Sequence, residues 1–452
     1  MEAVSSSTSV ASVQELDEAM AQLQRVLPSK TLEALQPAAP QAVYTTWITT
    51  WMMVHQRLHP NATLAATVAA FAQAMPTLSD NKRVHDKTLS SNTGAFSRAR
   101  SRLQLEVANQ AADQVFSSLL PHTPRLLANR RILIVDGTTI ALTSNPKLRE
   151  VWPPNCNQHG PGAWPICHLA LLHELETGMT MRPEVGAMYG PNSQSETVLS
   201  LQMLARLREP AVLMADRNFG IFGFVFPAVQ AGHDVLVRMK EDRFRALHKQ
   251  AHQVRPGVWQ HLWKPSKKDR TSHPTLPEEA AVPIFLHEFV GYSGDTLWVA
   301  TTLDIDTQTL ASWYAWRGNI ETDIREWKKA LLMDVLRGQS EEMIRKELAM
   351  GVIAFNLVTQ VRHIAAQRGK IPARRISFTG AWSLVVFLLL QRGEQASDQW
   401  QQSFEQVIRG CLQRKIPHRP GRSYKREAYS KGRHFPIKKP PQTKSEGKMD
   451  GK

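Results

Sequence analysis

The stretch R-I-L-I-V-D-G-T-T, Arg131 to Thr139, decides the reading of the fold. Ile132–Val135 is a short unbroken apolar run, the pattern of a strand buried on both faces, and Asp136 follows it at once. A second stretch, A-V-L-M-A-D-R-N-F-G from Ala211 to Gly220, repeats the arrangement with Asp216. Around these runs the patterns alternate. Strands are expected at Ile166–His173, near Thr180–Val185 and at Asp234–Met239, with helices at Glu196–Leu207 and Phe222–Ala231. Such alternation predicts an α/β core. Both aspartates then sit on the C-terminal rims of buried strands, where open α/β sheets place ligands. A carboxylate there is costly to bury unless it is paired or bound to a metal. Taken singly, each could equally be a turn residue or a helix N-cap.

Outside this core the texture differs. Residues 1–125 read as helical, with apolar periodicity at Val13–Val26, Thr63–Ala74 and Thr93–Leu119. Ser91 and Asn92 stand where a helix cap belongs, and Arg98, Arg100 and Arg102 make the helix that follows basic. From Lys240 to about Thr296 the alternation breaks into scattered prolines and short strand candidates around Val258–Trp263 and Val282–Val290. That segment reads as a β-rich insertion at 241–296, dividing a core of residues 126–240 and 297–395. Leu297–Leu303 returns as a strand, Thr309–Leu336 as a helix, Glu341–Ala366 as a long helix, and Trp382–Leu390 as an apolar one. Residues 396–452 read as a basic tail.

The 452 residues, 42% hydrophobic and 21% charged, exclude wholesale disorder and leave room for two to four domains. Three cysteines (Cys156, Cys167, Cys411) exclude a disulfide scaffold and fit a reducing cytoplasm. No apolar run reaches the ~18 residues of a membrane span, and the closest, Phe378–Leu390, is interrupted by Thr379, Gly380 and Ser383. The N-terminus has neither the basic nor the apolar region of a secretion signal. The expected location is therefore cytoplasmic, with no membrane partner. The charge is +15, and Arg414–Lys452 holds 13 Lys/Arg against 3 acids. A polyanion is the partner such a tail suits, because Lys and Arg that neutralise phosphates release counterions; a solubilising role is the alternative.

A third acid, Glu321, lies in Y-A-W-R-G-N-I-E-T-D-I-R-E-W-K. On a continuous helix at about 100° per residue, Tyr314, Arg317, Glu321 and Lys328 share an arc of about 60°. An i,i+4 ion pair on a solvated face explains Arg317 with Glu321 but not the other two.

With these residues in hand, the sequence resembles a DDE transposase of the cut-and-paste bacterial insertion sequences, the insertion-sequence-four type family. The resemblance rests on the spacing Tyr314-x2-Arg317-x3-Glu321-x6-Lys328, which matches that family's Y-R-E-K signature, together with Asp136-Gly-Thr and Asp216-Arg-Asn-Phe-Gly. It covers roughly Arg131 to Gln360, and departs from the usual pattern at Asn218, where Gly is more common. It implies an RNase H-like core with a β-rich insertion between the second Asp and the Glu; the 105 residues from Asp216 to Glu321 leave room for one.

By resemblance, Asp136, Asp216 and Glu321 are the catalytic carboxylates and hold two Mg²⁺ or Mn²⁺ ions. Hard oxygen ligands suit such ions, and a two-metal site supports in-line displacement at phosphorus. Tyr314, Arg317 and Lys328 would hold DNA phosphates, with Arg238 and Lys240 as further candidates beside a solvated strand end. The partners implied are double-stranded DNA, as terminal inverted repeats and as target, and a second copy of the chain assembled on the DNA ends. The resemblance implies a bacterial cytoplasmic protein associated with the nucleoid. The helical N-terminal region, with Arg98, Arg100 and Arg102, would read the element's ends. Trp259, Trp263 and Trp298 could stack on a displaced base, but core packing is the better reading. Cys156-x2-His159 with Cys167-His168 is a weak zinc-like spacing, better read as a Pro- and Gly-rich loop before a strand. A DNA-binding relative without activity, or an RNase H-like nuclease unrelated to transposition, are the alternative functions.

Overall fold

The computed structural model describes residues 29–74, 81–86, 88–291, 294–391 and 397–417. The expected helix at Val13–Val26 and the part of the expected 396–452 tail beyond Pro417 lie outside the described residues, whereas Ser397–Gln413, expected as tail, is an amphipathic helix of the folded part. Chain order begins with helices α1 (Ser29–Leu35), α2 (Thr46–Leu58), α3 (Leu64–Ala74), α4 (Lys82–His85), α5 (Gly94–Arg102) and α6 (Leu105–Leu119). The expected run Thr93–Leu119 is thus two helices. It breaks where Leu103 takes ψ 120° and Gln104 takes ψ 140°, both extended. Asn92 does serve the first of them, its Oδ1 accepting from the Gly94 N–H at 2.7 Å.

The core follows as β1 (Arg131–Ala141), α7 (Pro146–Val151), the small hairpin β2 (Cys156–Asn157) and β3 (Gly160–Pro161), β4 (Ile166–Glu174) and β5 (Glu184–Ala187). Next come α8 (Glu196–Leu204), β6 (Ala211–Ala215), α9 (Phe222–Gln230) and β7 (Asp234–Arg238). The segment after β7 holds α10 (Glu241–His248), β8 (His252–Arg255), β9 (Val258–Trp263), α11 (Lys267–Ser272) and β10 (Val282–Val290). The chain closes with β11 (Thr296–Thr301), α12 (Thr307–Tyr314), α13 (Asn319–Ala330), α14 (Glu341–Arg368), α15 (Phe378–Gln391) and α16 (Ser397–Gln413).

Among the described residues the main sheet has nine strands in the order β5-β4-β1-β6-β7-β11-β10-β9-β8. β1, β6 and β7 run parallel to one another and their other neighbours are antiparallel. The strands of residues 241–296 therefore extend the edge of the same sheet instead of forming a separate one.

Alternation of side chains across the strands gives the sheet two apolar faces. Leu133, Val135, Leu213, Ala215, Val235 and Val237 join one core; Ile132, Ile134, Val212, Met214 and Leu236 join another, beneath Leu310, Tyr314 and Ile320 of α12 and α13. Both faces being covered is why these strands read as unbroken apolar runs.

The helix α14 has 28 residues and is long and apolar enough to cross a membrane, yet its apolar window lies entirely inside the protein. It packs against α2, α6, α15 and α16. Phe355, buried on this helix, stacks on Phe378 with ring centroids 4.8 Å apart. Burying one such ring contributes about 1.5–3 kcal/mol.

The expected single helix Thr309–Leu336 is not continuous. A 3-10 turn, Ala315–Gly318, separates α12 from α13. The second helix ends at Ala330 because the chain turns sharply at Leu332, which takes a left-handed φ of 47°.

Candidate active site

Strand pairing places the two aspartates side by side. The parallel pairing of β1 with β6 ends at Val135 opposite Ala215, so Asp136 and Asp216 are the next residue on each strand. β1 itself does not stop there. It runs on to Ala141 against β4, with Asp136 opposite Leu171. Local hydrogen bonds orient both carboxylates: Asp136 Oδ1 accepts from the Gly137 N–H at 2.9 Å, and Asp216 Oδ1 from the Asn218 N–H at 2.8 Å.

The third acid comes from a helix, on the first turn of α13. Glu321 is largely exposed, its side chain 74% accessible. One guanidinium links it to the aspartates. Arg317 lies 2.9 Å from Asp136 Oδ2, 3.8 Å from Asp216 Oδ2 and 3.6 Å from Glu321 Oε1. Acids from two strands and a helix therefore converge on a single cation. The 3-10 turn does not prevent this, because Arg317 on the turn still reaches Glu321 four residues on.

The other members of the expected set take different places. Tyr314 is buried, and its hydroxyl donates to the Ala215 carbonyl at 3.2 Å, bracing the strand end that carries Asp216. Burial pushes its phenol pKa up. Lys328 Nζ donates to Thr138 Oγ1 at 2.6 Å and to the Thr139 carbonyl at 2.8 Å, tying α13 to β1 just beyond Asp136. Arg238, at the end of β7, lines a cleft of about 730 Å³ beside Asp216. Arg217, Tyr314 and Arg317 share that cleft, and Phe289, Val290 and Leu297 form its apolar wall. The Nε atoms of Arg238 and Arg317 are buried without a hydrogen-bond partner. Lys240 is exposed at the start of α10 and does not line the cleft.

The electrostatics follow from this packing. Burial raises the Asp136 carboxyl to about 6, against the pull of Arg317. Burial also holds the Lys328 ammonium below its usual value.

Glu196, which no motif spacing marks, stands beside the two aspartates. This residue opens α8, behind the Ser195 cap. Its Oε2 lies 2.2 Å from where a Cβ on Gly137 would stand. Its carboxylate accepts a hydrogen bond from the Asn218 side chain, burial raises its pKa, and the negative charge of Asp216 raises it further. The sequence signal was available only as Gly137 and Asn218 flanking the two aspartates, and it needed the third dimension to be read.

Other expected features separate from the site. Arg100 turns inward, 3.8 Å from Glu347 and within 3.4 Å of Gln56 Oε1, whereas Arg98 and Arg102 stay exposed. Cys156 and His159 are exposed at the β2–β3 hairpin, while Cys167 is buried in β4 with its thiol pushed up to about 12. His168 Nδ1 lies 2.9 Å from the Gln194 carbonyl. No zinc set forms from these four among the described residues. Trp263 packs against the Phe222 ring at 5.5 Å, Trp298 lies under Arg245 at 5.7 Å, and Trp259 meets the ring of His248 at 4.5 Å.

A mixed α/β sheet with acidic residues beyond its parallel strands is consistent with the RNase H-like class of fold. The chain belongs to the DDE transposase family: the sequence profile of the transposase DDE domain matches residues 128–357, half of the chain. No curated protein matches it. The family generally uses divalent metal. Asp136, Asp216 and Glu321 offer an all-oxygen donor set, which fits a hard divalent cation in chemistry. No ready-made coordination shell stands among the described residues, and Arg317 occupies the middle of the acids.

Proposed function

We propose that the chain is a DNA transposase of the cut-and-paste kind, cleaving and rejoining strands at the ends of its own insertion sequence. The observation that carries this reading is the convergence of Asp136, Asp216 and Glu321 on Arg317. Like charges gathered this closely, two of them partly buried, are stabilised when paired or when they take up a cation.

Asp136, Asp216 and Glu321 would hold Mg²⁺ or Mn²⁺. When bound, the ions supply an activated oxygen nucleophile and stabilise the leaving oxygen at phosphorus. The chain's own residues do the rest. Arg317 changes partners, leaving the acids and offering its planar fork to a DNA phosphate. Arg238 stands ready for a second phosphate from the wall of the same cleft. Tyr314 and Lys328 keep β1, β6 and α13 in register, through Ala215 and Thr138.

DNA carrying the element's flanking inverted repeats tests the reading. Purified protein with Mg²⁺ should cut at the repeat boundary, and a chelator should stop it. Cutting that ignores the repeats would instead favour a general nuclease.

A further inference from the structure

Beside the three acids that meet Arg317 stands a fourth, Glu196, close enough to feel the charges of Asp216 and Arg317. Glu196 comes from α8, an element that carries none of the family's acids, and reaches β1 at the residue immediately after Asp136. Its approach depends on a bare backbone. An added Cβ at Gly137 would meet Glu196 Oε2 at 2.2 Å and the Glu196 Cβ at 2.9 Å. From the other side the Asn218 side chain donates to the same carboxylate. Asn218 itself is two residues beyond Asp216 and joined to it, its N–H lying 2.8 Å from Asp216 Oδ1. Glu196 thus touches the strand residue after Asp136 and the turn after Asp216.

A favourable interaction with the N-terminus of α8 is the simplest alternative for an acid in a first turn. It accounts for a carboxylate near the helix end, but not for one turned onto Gly137 and tied to Asn218. A third like charge beside Asp136 and Asp216 destabilises the site, and Arg317 offsets only part of it. A divalent cation removes that imbalance.

We propose that Glu196 is a fourth carboxylate of the divalent-cation site, turned toward it by Asn218 and admitted by Gly137. The proposal rests on the reading of Asp136 and Asp216 as metal-binding residues. Glu196 would complete the negative field around the cation and help to place it between the two strand ends. Groups that orient metal ligands typically alter affinity 10–100-fold when changed.

The test is Mn²⁺ binding to the full-length protein without DNA, followed by electron paramagnetic resonance of free Mn²⁺. Glu196→Gln keeps the shape and removes the charge, and should raise the Mn²⁺ dissociation constant about tenfold. Thermal unfolding without metal should be no lower than in the wild type, a result that a purely structural glutamate would not give. Asn218→Ala, at an exposed position, should shift the constant in the same direction by less; it decides the matter if Glu196→Gln does not fold. A constant within twofold of wild type in the folded variant, while Asp136→Asn loses Mn²⁺, overturns the role of Glu196 alone. Unchanged binding in Asp136→Asn as well overturns the metal-centre reading beneath it.

Discussion

Arg317 donates to Asp136 across 2.9 Å, and in doing so occupies the space between the acids from three separate elements. The arginine of the expected DNA-binding set is thus the counter-charge of the acidic group.

Arg317→Ala should expose this arrangement. Without the guanidinium, Asp136 and Asp216 face each other uncompensated, and the metal-free protein should lose about 1–3 kcal/mol of stability. Added Mn²⁺ should restore more of the melting temperature in the variant than it adds to the wild type. Equal Mn²⁺ responses in both proteins would show that arginine and cation do not compete for the acids.

Behind the site, Arg374 grips Asp323 with both nitrogens, Nη1 at 2.6 Å and Nη2 at 2.9 Å, and its Nε donates to the Leu175 carbonyl at 2.6 Å. Asp323 is fully buried and lies two residues after Glu321 on α13. Removing one partner of such a pair leaves a buried charge, so Arg374→Ala should cost about 3–5 kcal/mol in urea unfolding. Arg374→Lys should recover only part of this, because a lysine cannot reproduce the bidentate fork. Full recovery by lysine would mean that charge, and not geometry, holds the helix.

The candidate site was legible in the sequence to the extent that it depended on strands. Asp136 and Asp216 announced themselves because each ends an apolar run buried on both faces. The wheel that grouped Tyr314, Arg317, Glu321 and Lys328 assumed one helix; the chain instead inserts a 3-10 turn, and the four diverge in role. Tyr314 and Lys328 brace backbone, at Ala215 and Thr139, while Arg317 meets carboxylates. Asp323 gave no signal, since its partner Arg374 lies 51 residues away. Glu196 looked like any acid in the first turn of a helix. The edge strands β8 to β10 were legible as strands, but their membership of the main sheet depends on pairing through β11, which no local pattern encodes.

The N-terminal helices share a core with α14. Val107, Ala111 and Val115 of α6 and Met52 of α2 lie in the same buried cluster as Phe355 and Leu348. Lys346, buried on α14, donates to the carbonyls of Arg100 and Ser101. A fragment ending at residue 125 would expose that face, so it should fail to unfold cooperatively by circular dichroism. End recognition by the N-terminal region should then be sought in the full chain. A fragment with a sharp melting transition would show that the helices fold without α14.

Acid should weaken the fold through buried histidines. His287 is buried in β10 with Nδ1 3.0 Å from Thr307 Oγ1, and burial lowers its pKa to about 4 from 6.5. The unfolded chain therefore binds the proton first, and the contribution of neutral His287, complete above pH 6.5, is lost as pH falls toward 4. Asp136, raised to about 6, acts in the opposite sense, losing its contribution as pH rises through that value. The difference in melting temperature between wild type and His287→Asn isolates the histidine, and it should shrink between pH 6.5 and 4. A difference independent of pH would remove His287 from the account.

The basic tail offers a salt test. Residues 418–452 hold 11 Lys/Arg against 3 acids. Arg414 and Ile416, by contrast, belong to the folded part, through Ser377 N to the Arg414 carbonyl at 2.9 Å and Ile416 N to the Arg375 carbonyl at 2.7 Å. Truncation should therefore follow Pro417. If about four of the excess charges meet phosphates, deletion should flatten the slope of log K against log salt by about 3 to 4. Sequence preference should persist, because base contacts specify and phosphate contacts position. An identical slope in both chains would assign the tail to something other than DNA.

Asp136, Asp216 and Glu321 together should carry the chemistry, which single-residue cleavage assays decide. Asp136→Asn, Asp216→Asn and Glu321→Gln would each be incubated with end-bearing DNA in Mg²⁺, beside the wild type, with melting and DNA binding measured on the same preparations. Each variant should fold and bind the ends yet lose strand cleavage by at least about a thousandfold, equivalent to about 4 kcal/mol in the barrier. Wild-type cleavage by any folded variant would contradict the assignment of that residue, and cleavage by all three would contradict the account.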